Sequence, residues 1–228
     1  MFWIPPRKRD QYDPVFANNT WAKIIKACQN KEVPETWTVG SQKAMTINGT
    51  DYPIDIIGKG HDDYSDGSGK APLTFQMHDC LDQDVPMHFS NTAIGGWTSC
   101  DMRQKLMPAI LGVMPTEVQN GIRDVNKLTS AGSQSSTINT TADKLFLLSE
   151  IEVFGSVIWS KSGEGTQYAY YKTGNSKVKN YNSGSACYWW ERSPGGRDSE
   201  SFCCVASTGD ADYNTARYSN SIAFGFCF

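Results

Sequence analysis

Met45-Thr46-Ile47-Asn48-Gly49-Thr50-Asp51-Tyr52-Pro53-Ile54-Asp55-Ile56-Ile57 sets two apolar, β-branched runs on either side of an Asn-Gly pair. That dipeptide accepts the positive φ angles of a tight turn, so the stretch predicts a β-hairpin. Upstream, Trp21, Ile24, Ile25 and Cys28 recur at i, i+3, i+4 and i+7, which predicts a helix with one buried face, capped by Asn19 or Thr20. Downstream, residues 73–77 form a short strand. A second helix is expected from near Ser99, with Met102, Leu106 and Ile110 on one side and Pro108 kinking or ending it. Thr116 is placed to cap a third, burying Val118 and Ile122. Residues 130–141 are loop by their Ser, Thr and Gly content.

Residues 145–153 predict a strand or strand-turn. Beyond them glycines punctuate the chain from Gly155 to Gly225, and only 157–159, 168–171, 202–206 and 222–228 look extended. Helices come early and irregular β late, which is the order of an α+β fold and not the alternation of a parallel α/β sheet. The expected organisation is an N-terminal segment and helix over residues 1–40, packed on a main domain spanning 41–228.

The composition is consistent with one core-forming domain. Of 228 residues, 39% are hydrophobic and 20% charged, which excludes disordered and coiled-coil classes. A net charge of −3 offers no field for a phosphate backbone, so nucleic acid is not an expected partner. No run approaches the roughly 18 apolar residues of a membrane span, so no membrane insertion is expected. Residues 1–9 put apolar residues before charges, the reverse of a secretory signal, and point to synthesis in the cytoplasm. The seven cysteines lack any C-x-x-C spacing; they indicate no zinc or disulfide framework and are expected to be reduced and buried.

Motifs for chemistry are weak. The loop His61-Asp62-Asp63-Tyr64-Ser65-Asp66-Gly67 resembles a calcium loop only superficially, because Tyr64 takes a ligand position and Leu73 stands where a closing Glu belongs. A turn held by its Asp side chains is the expected role. His61, His78 and His88 carry no catalytic signature, and no phosphate-binding glycine loop occurs. No catalytic residue, metal or cofactor is expected.

Longer strings are more specific: residues 56–77, Asn91-Thr92-Ala93-Ile94-Gly95-Gly96-Trp97, Asp101-Met102-Arg103, Val125-Asn126-Lys127, Asp143-Lys144-Leu145, Trp189-Trp190-Glu191-Arg192-Ser193-Pro194 and Ala223-Phe224-Gly225-Phe226-Cys227. From about residue 40 onward, these resemble an uncharacterised domain family of gut bacteria, their phages and prophages, often found at the end of tail or surface proteins. That family is similar to the C-type-lectin-like superfamily, in the branch of formylglycine-generating enzymes and of the variable proteins of diversity-generating retroelements. The resemblance implies a C-type-lectin-like fold with an irregular, loop-rich C-terminal β region that faces ligand. It further implies a location on a phage tail or a bacterial cell surface, and a protein or glycan ligand on a bacterium. Other tail or surface proteins would be engaged through the N-terminus (residues 1 to about 13), and oligomerisation stays open.

In such variable proteins adenine-directed mutagenesis of Asn codons cannot yield Lys, Gln, Glu, Met or Trp when only the first two bases change. These types make up 45 of the 228 residues. The window from Gly195 to Ser221 would therefore hold about five of them at the chain's own frequency. It holds one, Glu200, which needs a different template codon. The resemblance thus implies a variable region over 188–221, with Tyr188, Arg197, Asp198, Ser199, Asp210, Asp212, Tyr213, Asn214, Arg217, Tyr218 and Asn220 as its ligand-facing residues. The mixture resembles a paratope: Tyr for rigid contact area, Arg and Asp for charged hydrogen bonds, Asn and Ser for adaptable ones. Trp189, Trp190, Phe202, Phe224 and Phe226 are expected to be its buried frame. Two alternatives are a formylglycine-generating-type oxidase, which would need a copper-binding pair among Cys203, Cys204 and Cys227, and a non-diversified structural adhesin domain. Adjacent Cys203 and Cys204 should point to opposite faces of a strand. A calcium-dependent sugar lectin lacks its Glu-Pro-Asn, Gln-Pro-Asp and Trp-Asn-Asp motifs here.

Overall fold

The computed structural model describes residues 12–228, and the signal and tail-attachment readings of residues 1–11 lie outside them. Helix α1 (Trp21–Gln29) forms as its apolar spacing requires, with Trp21, Ile24, Ile25 and Cys28 buried. Thr20 is the cap, its side chain accepting from the Lys23 amide at 3.3 Å. Asn19 instead turns its amide to the carbonyls of Asp13, Val15 and Phe16. Strands β1 (Gln42–Ile47) and β2 (Thr50–Lys59) make the hairpin, and Asn48 and Gly49 take φ of 48° and 82° at its turn.

A third strand, β3 (Leu73–Met77), continues this sheet. The short helix α2 (Gly96–Ser99) is followed by a wide π turn (Met102–Leu106) that runs into α3 (Met107–Gly112). Pro108 therefore does not end the helix. It falls in the first turn of α3, where its missing N–H is least costly, and the π turn makes the room upstream. In α4 (Thr116–Gly121), Pro115 takes the cap position without a side-chain bond, so Thr116 is the first helical residue and not the cap. Strands β4 (Val125–Ser130) and β5 (Ile138–Asp143) pair over six residue pairs, so the expected loop shrinks to the residues between them.

Where one strand or strand-turn is expected, β6 (Leu145–Phe146) is only two residues long and gives way to α5 (Glu150–Phe154). A capping box starts that helix: Ser149 Oγ accepts from the Glu152 amide at 3.1 Å and Glu152 accepts from the Ser149 amide at 3.0 Å. Tyr170 and Tyr171 lie in α6 (Ala169–Lys172), not in a strand, and residues 157–159 form no strand either. After the two-residue pair β7 (Lys179–Asn180) and β8 (Ala186–Cys187) come β9 (Trp189–Pro194), β10 (Ser201–Val205), β11 (Ala211–Thr215) and β12 (Gly225–Cys227).

The fold is mixed α and β, with sheets in the order β1-β2-β3-β12-β6 and β11-β10-β9. The C-terminal strand is inserted between β3 and β6, and Phe226 stacks on Phe75 with centroids 5.2 Å apart. Trp21 of α1 covers Phe75, Phe226 and Phe228, so the helix before residue 40 belongs to the same core.

A buried chain of charges crosses this core. Lys127 of β4 lies 2.8 Å from both Asp62 and Glu152, and Glu152 in turn pairs with Arg192 of β9. Asp62 leaves the turn expected of it: its carboxylate accepts from Thr74, Lys127 and Tyr168, all buried. Burial pushes this carboxyl up, but the Lys127 ammonium and these hydrogen bonds outweigh that and hold it down at about 2. The turn role belongs to Asp66, which accepts from the Ser68 amide at 2.9 Å.

Two outcomes follow from this chain. Lys127→Met should lose about 3–5 kcal/mol in urea unfolding, because Asp62 loses its buried counter-ion and Glu152 keeps only Arg192. Asp62 is depressed below its ordinary value of about 3.9, so its share of stability is present above about pH 4 and is lost as pH falls toward 2. In acid titration that share amounts to about 2–3 kcal/mol. Asp62→Asn, weaker from the start, should show a shallower acid limb.

Candidate functional site

The expected variable region divides sharply. Trp189, Trp190, Phe202, Phe224 and Phe226 are fully buried, as the frame reading requires. Tyr188, Tyr213 and Tyr218 are exposed, Tyr218 at 58%, and so are Arg197, Asp210 and Arg217. Asp198, Ser199, Asp212 and Asn214 are half-buried. Asn220 is a correction: it is 2% exposed and its backbone bridges to Val85, so it belongs to the frame. Its strand-like bridge to the loop before Met87 withdraws it from solvent, something the polar neighbours in sequence do not reveal.

Local chemistry explains the exposed part. Strand β11 is a sheet edge paired only with β10, and Tyr213 lies opposite Cys203. Asp198 builds the turn before β10: one oxygen accepts from the amides of Glu200 and Ser201, the other from the Ser201 hydroxyl. Asp210 accepts from Thr208 and Asp212 from the Tyr213 amide, which leaves both aspartates partly committed to their own turns.

The centre of the surface is a cluster around Trp159 that sequence reasoning misses. Trp159 packs on Tyr213 at 4.8 Å between centroids, and the Arg197 guanidinium lies 4.1 Å over the Trp159 ring. With Gly195 and Asp198 these three line a small surface pocket. Trp159 is placed by Glu150, whose carboxylate accepts from the amides of Ile158, Trp159 and Ser160 and from the Ser160 hydroxyl. Gly196 permits the close approach, because a Cβ there would stand 2.6 Å from the Ser160 carbonyl oxygen. Phe89 and Ile94 flank the region on a loop that bonds to Ala216, Ser199 and Glu200, and Ile94 is 62% exposed.

The other candidates are dispersed. His61 stacks on Tyr168, His78 bonds Asp55 and His88 bonds Asp101, so the structure gives the three histidines separate partners. Cys203 faces Glu150 and Glu191, Cys204 lies 3.5 Å from the Asn214 amide, and Cys227 borders Asp62 and Thr74. The sulfurs considered for copper thus occupy three different surroundings. All seven cysteines are buried and free, and among the described residues no helix is long and apolar enough to cross a membrane.

A family model described as "Domain of unknown function (DUF6273)" matches residues 74–223, and the chain belongs to that family. No curated protein and no solved structure matches the chain.

Frame and surface should separate in stability measurements. Arg217→Ser and Tyr218→Ser should each shift stability by less than about 0.5 kcal/mol. Phe202→Ala should cost about 3–5 kcal/mol through the cavity it leaves. Similar losses at all three positions in urea unfolding would contradict the division.

Proposed function

We propose that this protein binds a ligand and catalyses no reaction: that it is a phage- or prophage-tail-associated variable protein of C-type-lectin-like fold, diversified by a retroelement, whose C-terminal surface recognises a protein or glycan on a bacterial cell. The observation that carries this reading is the division within 188–221. Buried apolar residues hold the strands, while the exposed positions are polar or aromatic: Tyr188, Tyr213 and Tyr218, Arg197 and Arg217, Asp210 and Glu200, with Thr208, Thr215 and Ser219. The near-absence of Lys, Gln, Glu, Met and Trp from residues 195–221, where Glu200 alone is of these types, supports a codon-level origin for that surface.

The physics of recognition supports it as well. Tyr and Trp contribute large contact area at little cost in rotamer entropy, and Arg adds charge-assisted hydrogen bonds; such residues dominate binding energy at interfaces. Trp159, packed against Tyr213 with the Arg197 guanidinium over its ring, is a platform of this kind. The exposed Phe89 and Ile94 add apolar area at its margin. The working location is the virion tail or the bacterial surface, with the N-terminal residues joined to other tail or surface proteins and assembly as an oligomer compatible with that role.

The experiment is retention of the purified full chain on intact cells and isolated envelopes from a panel of gut bacteria. A positive strain should lose retention by roughly tenfold or more when Tyr213, Arg217 and Tyr218 are changed together to Ser. Retention unaffected by that triple change would contradict recognition through this surface and favour a structural adhesin domain. An adenine-rich near-copy of the codons for 188–221 beside a reverse transcriptase gene is expected in the same genome, and its absence would contradict diversification.

A further inference from the structure

Glu150, which bonds the Trp159 amide, belongs to a buried cluster that the recognition surface does not use. Carboxylate oxygens of Glu150 and Glu191 and the sulfur of Cys203 all lie within 4.8 Å of one another, and all three residues are buried. Topology brings them together. Glu150 opens α5, Glu191 is in β9 and Cys203 in β10. A bulge between Phe202 and Cys204 sets Cys203 against residues 191–193, so that it faces Glu191, while Cys204 pairs with Trp190.

Glu191 is the anomaly. It is fully buried, and neither of its oxygens has a hydrogen-bond partner among the described residues. The adjacent Arg192 does not serve it, since its guanidinium is spent on Glu152, Thr129 and the carbonyls of Leu128, Leu147 and Glu164. The surrounding charges are also unbalanced. Among the described residues, Asp62, Glu150, Glu152, Glu164 and Glu191 are buried near only two buried cations, Lys127 and Arg192. The ion pairs of those two go to Asp62 and Glu152, leaving Glu150, Glu164 and Glu191 without one among the described residues. A buried carboxylate without hydrogen bonds is too costly to persist; it takes up a proton or a cation.

We propose that Glu150, Glu191 and Cys203 bind one zinc ion that locks the loop carrying Trp159 onto β9 and β10. The donor set selects the metal: a thiolate disfavours calcium and magnesium, which take oxygen ligands, while two carboxylates disfavour copper(I). Zinc accepts both donor types at about 2.0–2.3 Å in a tetrahedral site, a span this cluster can close around one ion. With three protein donors, the fourth tetrahedral position falls to a water molecule. On binding, the proton of the Cys203 thiol and any proton on Glu191 are released to solvent, and the ion offsets the excess negative charge. Glu150 then joins two duties, since its carboxylate also holds the amides of residues 158–160. The site rests on this geometry alone and stands or falls separately from receptor binding.

The test uses the full chain made in zinc-supplemented medium and purified without chelator or metal-affinity steps. Elemental analysis should find about one zinc per chain, and refolding with cobalt(II) should give a thiolate-to-cobalt charge-transfer band in the near ultraviolet. Glu191→Gln should lower metal content by roughly tenfold or more, and Cys203→Ser should abolish the band. Should Glu191→Gln fail to fold, Glu191→Leu replaces the buried charge by apolar volume; it should fold without metal and melt at a temperature unaffected by chelator. Wild-type protein with only trace zinc and no cobalt band overturns the proposal, as does metal retained equally by the Glu191 and Cys203 variants.

Discussion

The buried sequence of charges Asp62, Lys127, Glu152 and Arg192 is the constraint on which the rest of the molecule depends. Its members come from the loop after β2, from β4, from α5 and from β9, so it ties the large sheet to the small one where no strand pairing between them does so. Each charge would be prohibitive alone. Together they are nearly saturated: Arg192 donates to carboxylate, hydroxyl and carbonyl oxygens, and Tyr168 closes the far end on Asp62. Such a network adds less net stability than an apolar core of equal volume, but a fully bonded buried network tolerates only one arrangement of its elements.

That arrangement has a consequence for the C-terminal third. Arg192 and Glu152 fix β9 and α5, and α5 presents Glu150 to the loop that carries Trp159. The exposed edge β11 can then vary in side chain while its neighbour β10, fully buried, keeps its register. The proposed recognition role draws on this separation between a frame that bears the folding free energy and an edge that bears little of it. The insertion of β12 between β3 and β6 adds to the frame, because an interior strand of the large sheet is also the last one in the chain.

Local features were the legible ones. The helix at Trp21, the Asn48-Gly49 hairpin and the buried Trp and Phe residues follow from spacing and turn chemistry within a few residues of each other. Tyr168 to Tyr171 look like a strand because aromatics favour one, yet packing under β2 makes α6. Asp62, Lys127, Glu152 and Arg192 each resemble an ordinary solvated charge, and their meeting depends on contacts far apart in sequence. Arg192 and Glu191 did carry a faint signal, a charged pair inside an aromatic strand. Of the surface, the tyrosines and arginines were legible by their polar surroundings, while Asn220 and Trp159 were not, since a bridge to Val85 buries one and Glu150 brings the other to the edge.

Native-state hydrogen exchange tests the central claim most directly. If the charge chain fixes the frame, amides of β4, α5 and β9 should exchange only through global unfolding, with one shared free energy, while those of β11 and residues 207–219 exchange through local opening at much lower cost. Equal protection across the edge and the frame, or exchange of β9 and α5 before β11, would contradict it.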